Sequence, residues 1–267
     1  MYFTVNDQRV FAATGGRPFD AQAPCVVFLH GTEMDHSIWV MPSRWFARHG
    51  YGVLALDLPG HGRSEGPLLP TIEAMADWLI AVLDSLGVER AGLAGHSMGS
   101  LIALDAAGRY PDRARALALL GTSFPMPVNE QLLAAAKAED HLALEMLNIY
   151  GHARSALLGG NEQIGMWNPG LGIRLMEQAA PGVVYNDLNA CNAYQGGLEA
   201  ARAVRCPATL IMGERDLLTP LRNVAPLREA LADARLVTLP DCGHSLFNEK
   251  PDATLDALIG ALCVAEE

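Results

Sequence analysis

Leu93-Ala94-Gly95-His96-Ser97-Met98-Gly99-Ser100 joins an apolar run, Ala91 to Ala94, to a stretch with helical spacing, Met98 to Arg109. This segment decides the fold. Its Gly-x-Ser-x-Gly pattern, set between a strand and a helix, is a sharp turn that lifts the serine above the end of the strand. Gly95 and Gly99 sit where neighbouring backbone and helix approach too closely for side chains. The first turn of the helix leaves N–H groups without intrahelical acceptors beside Ser97, a favourable place for developing negative charge.

The alternation of strand and helix recurs on both sides of this turn. Cys25-Val26-Val27-Phe28-Leu29 and Val53-Leu54-Ala55-Leu56 are apolar without alternation, as expected of strands covered on both faces, with a helix around Trp39 to Arg48 between them. A helix from Thr71 to Leu86 has Thr71 and Glu73 as start signals and Gly87 as its stop. Further strands are expected at Ala116 to Leu120, Ala208 to Met212 and Leu236 to Leu239, and further helices at Leu221 to Leu231 and Ala253 to Cys263. Tyr2 to Val5 and Arg9 to Ala13, around Asn6-Asp7, read as an edge hairpin. The whole pattern implies an α/β fold with a mostly parallel, doubly wound sheet and right-handed crossovers.

From Phe124 to Gln195 the alternation stops, and the chain reads as helical pieces separated by Gly, Pro and Asn. The expected organisation is a core in two parts, residues 1–123 and 196–267, with a helical lid inserted at 124–195. Met126, Met146 and Trp167 of this insertion, with Leu217 from the later core, are expected to contact an apolar substrate. Helices packed on a core also need apolar faces for their own sake.

Half of the 267 residues are hydrophobic, enough for one core that buries about three quarters of the surface of the unfolded chain. The net charge is −11 with Lys and Arg scattered, which argues against a nucleic-acid partner. No basic region precedes an apolar run at the N-terminus, and no stretch has the apolar length of a membrane span, so no membrane partner and a cytoplasmic location are expected. Five cysteines without a CxxC pair point to reduced, mostly buried thiols rather than disulfides or zinc. Neither EF-hand nor HExxH spacing occurs; no metal and no cofactor are expected.

Four segments, taken in order, resemble the α/β-hydrolase family. His30-Gly31-Thr32 is similar to its oxyanion-loop motif; Asp57-Leu58-Pro59-Gly60-His61-Gly62-Arg63-Ser64 to the turn after its next strand; Gly95 to Gly99 to its nucleophile elbow. Gly213-Glu214-Arg215-Asp216 with Pro220, and Asp241-Cys242-Gly243-His244, are similar to its acid and base loops. A serine hydroxyl is a poor nucleophile unless a base is within reach and a third group fixes that base. The resemblance implies Ser97 as nucleophile, His244 as base and Asp216 as the orienting acid, each after a strand end. Gly121-Thr122-Ser123, the competing position for the acid, has no carboxylate. The backbone N–H groups of Thr32 and Met98 are the implied oxyanion donors.

Plainer readings stand beside these. Asp216 also suits a helix N-cap. His96 reads as packing under the turn, and His36, His49 and His61 as loop or surface groups. His141 and His152 read as solvated or internally satisfied, with substrate contact as the alternative. Glu33 and Asp35 suit caps of the next helix, and Cys242 a buried small hydrophobe.

A serine at the elbow argues against epoxide hydrolases and dehalogenases, which resemble one another in using a carboxylate there. The expected function is hydrolysis of a carboxylic ester or thioester of a small to medium, fairly apolar acyl group, through an acyl-enzyme on Ser97. Two alternatives remain. One is a carbon–carbon hydrolase of ring-fission products, with Arg174 gripping a carboxylate, although Ser245 stands where such enzymes often carry a bulky aromatic. The other is a ligand-sensing receptor with slow or degenerate hydrolysis.

Overall fold

Two-sided burial explains the sheet. In β3 (Cys25–Leu29), Cys25, Val27 and Leu29 pack into one hydrophobic cluster while Val26 and Phe28 pack into another. β4 (Gly52–Leu56) divides in the same way, Leu54 and Leu56 against Val53 and Ala55. Side chains alternate across a strand, so a continuous apolar run serves two cores at once. The computed structural model describes residues 1–160, 162 and 166–263.

β1 (Tyr2–Val5) and β2 (Gln8–Ala13) form the antiparallel edge hairpin, and β2 runs antiparallel to β4. β5 (Ala91–His96), β6 (Ala114–Leu120), β7 (Ala208–Gly213) and β8 (Ala234–Leu239) extend the parallel part. The eight strands form one sheet in the order β1-β2-β4-β3-β5-β6-β7-β8. Helices α1 (Val40–Arg48), α2 (Ile72–Ser85) and α3 (Met98–Arg109) connect its first half. The Thr71 hydroxyl caps α2 by accepting from Ala74 N–H, as its position before the periodic stretch predicts.

Among the described residues six helices lie between β6 and β7, the first five being α4 (Glu130–Lys137), α5 (Leu142–Tyr150), α6 (Arg154–Leu157), α7 (Asn168–Met176) and α8 (Val183–Ala193). Leu132, Ala135, Leu147, Met176 and Leu188 give these helices a small hydrophobic cluster of their own. α9 (Gly197–Ala203) then returns the chain to the core and packs on α3, where Gly108 lets the Ala200 backbone approach. Positions 161, 163–165 and 264–267, within the expected insertion and the second core segment, lie outside the described residues.

The helix expected at Leu221 to Leu231 is divided into a 3-10 turn, Leu221–Val224, and α10 (Ala225–Ala230). Pro226 explains the break, because its ring lacks an N–H and fits only the first turn of a helix. A short α11 (Leu246–Glu249) precedes the final α12 (Pro251–Leu262).

Candidate active site

The carboxyl ends of β3, β5, β6, β7 and β8 converge around Ser97. At Ser97 the backbone takes φ 54° and ψ −119°, a conformation rare for a residue with a side chain. Neighbouring bonds hold it there: Ser97 N–H donates to the Leu120 carbonyl at 2.9 Å, and the Ser100 hydroxyl donates to the Ser97 carbonyl and is hydrogen-bonded to the Thr122 hydroxyl. A Cβ at Gly95 would lie 1.9 Å from the Gly99 carbonyl oxygen, and one at Gly99 would lie 2.3 Å from that of Leu29. Both elbow glycines are therefore steric requirements of the turn.

β7 and β8 deliver the other two residues. The loops touch, for a Cβ at Gly213 would lie 2.1 Å from the Gly243 carbonyl oxygen. His244 Nδ1 donates to Asp216 Oδ2 at 2.7 Å. The same oxygen accepts from the Thr219 hydroxyl at 2.7 Å, while Oδ1 accepts from Leu218 N–H and Thr219 N–H at 2.9 and 2.8 Å. Burial by itself raises the pKa of Asp216, but the His244 ring and the Thr219 donors outweigh it and hold the carboxyl below its ordinary range. Asp216 thus stays ionised and keeps the His244 proton on Nδ1, leaving Nε2 as the basic nitrogen. The N-cap reading of Asp216 is replaced by this loop geometry, since the next helical turn starts only at Leu221.

Gly121 and His96 complete the seat of the imidazole. Gly121 has φ 53°, and a Cβ on it would come within 2.9 Å of His244 Cε1. His96 Nε2 donates to the His244 carbonyl at 2.9 Å, and its ring lies 4.7 Å from that of His244. Burial, with the neighbouring His244, pulls the His96 pKa down to about 3, so it is a neutral prop. Glu249 ties this loop to the insertion, its Oε2 accepting from Gly243 N–H and Ala153 N–H, each at 3.0 Å. Met98 opens α3, so its N–H has no acceptor within the helix, and Thr32 lines the same cavity as Ser97.

Several sequence expectations change here. His61 is no surface group: it is 5 % exposed, with Nδ1 on the Pro59 carbonyl and Nε2 on Asp187 Oδ2 at 2.8 Å. Glu33 caps no helix. It is buried, and its N–H donates to the same Asp187 oxygen at 3.1 Å. Burial, reinforced by Asp187, holds the Glu33 carboxyl well above its ordinary value. Asp35 does cap, accepting from Ser37 N–H. Trp167, expected on the substrate wall, is 71 % exposed and its ring lies against Gly170 instead. Arg174 is bonded to Glu177 at the surface. Cys242 is fully buried, as its reading as a small hydrophobe expects, its thiol pKa pushed up by burial.

Among the described residues, Asp35, His36 and Asp57 bring ligand-type atoms within 4.8 Å of one another. These donors are already engaged: Asp57 accepts from His36 N–H, His36 Nδ1 and Arg63 N–H, and Asp35 caps the adjoining turn. The cluster shapes the Asp57–Ser64 turn.

Two cavities of about 310 Å³ each meet at Ser97, sharing Thr32, Leu147 and Leu218 as well. One runs past His244 and Phe247 toward α5 and α7. The other runs between Met126, Leu132, Met146, Leu188 and Leu217, so three of the four expected substrate contacts line it.

The family model of the α/β hydrolase fold matches residues 24–251. A pimeloyl-[acyl-carrier protein] methyl ester esterase of Aromatoleum aromaticum is 32 % identical over 86 % of this chain and 94 % of its own. A 2-hydroxymuconate semialdehyde hydrolase of a Pseudomonas species is 28 % identical, over 82 % and 80 %. Among solved structures, an enol-lactonase from Burkholderia xenovorans superposes with a TM-score of 0.83 at 24 % identity, covering 97 % of this chain and 98 % of that one.

Proposed function

The chain belongs to the α/β-hydrolase fold family, and from that premise we propose that it hydrolyses a carboxylic ester through an acyl-enzyme on Ser97. The observation that carries the reading is the 2.7 Å bond from His244 Nδ1 to a buried, ionised Asp216, which sets His244 Nε2 as a base in the cavity that Ser97 also lines. In this mechanism Ser97 Oγ attacks the ester carbonyl as His244 takes its proton. The oxyanion is held by the N–H groups of Thr32 and Met98; loss of one such donor costs about 10²–10³ in turnover. The C–O bond then breaks, and the proton on His244 passes to the departing alcohol. Water, deprotonated by the same nitrogen, releases the acid and restores Ser97.

The apolar walls that Met126, Met146 and Leu188 give this cavity suit a small to medium acyl chain, with residues 124–195 acting as a lid over it. The esterase among the relatives supports ester chemistry, and a thioester fits the same steps. The carbon–carbon alternative has less support, because Arg174 lies outside both cavities. Among the described residues no helix is long and apolar enough to cross a membrane, and all five cysteines are free; both fit work in the cytoplasm.

Chromogenic esters of rising acyl length test the reading. Multiple turnover that peaks at a short to medium chain and disappears in Ser97→Ala is expected. Inactivity at every length overturns it, and a single slow turnover with a ligand-dependent rise in melting temperature points to a receptor instead.

A further inference from the structure

The cavity that contains His244 differs from its neighbour in carrying buried polar atoms that the fold leaves without partners. His152, on the turn after α5, is 3 % exposed and lines this arm. Its Nδ1 donates to the Asn148 carbonyl at 2.8 Å, which leaves Nε2 as a hydrogen-bond acceptor. Among the described residues, no group donates to that nitrogen, nor to Asn148 Oδ1 beside it. The two side chains meet over Gly172 of α7: a Cβ there would lie 3.0 Å from Asn148 Oδ1 and 3.7 Å from His152 Cε1. The missing side chain keeps the arm open at this point. Burial holds the His152 pKa below its ordinary value, so the ring remains a neutral acceptor rather than a cation.

Buried polar atoms are nearly always paired, and an unpaired one carries a desolvation cost that a ligand can recover. The second arm, lined by Met126, Leu132, Met146 and Leu188 together with Asn129, Gln131 and Thr219, has among the described residues no such orphaned buried atom. The position of His244 distinguishes the two. The departing oxygen must receive its proton from His244, so the alcohol portion lies in the arm that His244 lines, and the acyl portion in the other.

We propose that His152, with Asn148, forms a specificity site in the alcohol arm that accepts a hydrogen bond from a neutral donor, a hydroxyl or an amide N–H, on the leaving alcohol of the substrate. The inference rests on the ester-hydrolase reading and narrows its substrates to apolar acyl esters of alcohols that bear a second, donating group.

The test compares esters of one acyl chain with alcohols that carry a terminal hydroxyl or a primary amide at successive distances from the ester oxygen, each against its alkyl isostere. At one distance the donor-bearing ester is expected to exceed its isostere in kcat/KM by about tenfold, the order of one recovered hydrogen bond. The same donor placed on the acyl chain is expected to give no gain. In His152→Leu, checked for native melting, the ratio between the best pair should fall toward one. Turnover of all esters with no preference at any distance overturns this site alone, as does a preference that survives in His152→Leu or follows the donor onto the acyl chain. If every ester is inert in the wild-type protein, the hydrolase reading fails, and this inference with it.

Discussion

Gly121 and Thr219 act on the proposed chemistry through His244. The imidazole packs on the bare Cα of Gly121, and Thr219 donates to the carboxylate that holds the imidazole. Gly121→Ala should push the ring out of its seat; because a misplacement of about 1 Å can cost about 10² in rate, kcat for the best ester should fall by roughly that factor. Asp216→Asn should cost about 10³–10⁴ in kcat, since an amide favours the wrong tautomer of His244. Steady-state kinetics on proteins with checked folding measures both. That Ser97, Asp216 and His244 come together was legible in the sequence through the segments that resemble those of the α/β-hydrolase family, each a short turn after an apolar run. Gly121 and Asp187 were not, since their partners are distant in sequence and only tertiary approach selects them: His61 and Asp187 are separated by 126 positions.

The elements are fastened to one another by buried polar links. α8 carries Asp187, which accepts from His61 of the Asp57–Ser64 turn and from the N–H of Glu33, next to Thr32. Burial alone depresses the pKa of His61, but Asp187 and the Pro59 carbonyl outweigh it, so the folded value lies above the ordinary 6.5. A group with a raised folded pKa stabilises fully below its unfolded value and loses that contribution as pH rises through the folded one. The melting-temperature gap between wild type and Asp187→Asn should therefore be widest below about pH 6.5 and narrow above it. A gap independent of pH would show that the link does not depend on the charge of His61. The element boundaries themselves were largely readable, because runs buried on both faces have no alternation to mislead. Trp167 was misplaced for the opposite reason: in the insertion, apolar content does not tell which face of a helix turns inward.

Across the whole molecule, one sheet supports the three proposed catalytic residues while the insertion, with its own cluster around Leu147 and Leu188, shapes both arms of the cavity. Chemistry and specificity are thus assigned to different parts of the chain. Leu132→Trp, on α4, should fill the acyl arm and shift the preferred acyl chain to a shorter one, while the length preference on the alcohol side stays as it was. A matched ester panel checks this. The sheet was legible from repeated strand and helix patterns, but the arms were not, since they arise where the insertion meets the core. The most direct test of the central claim is covalent labelling with a fluorophosphonate followed by peptide mass analysis. The account predicts one adduct per chain, on Ser97, with loss of all ester turnover; an adduct on another residue, or full activity in the labelled protein, would contradict it.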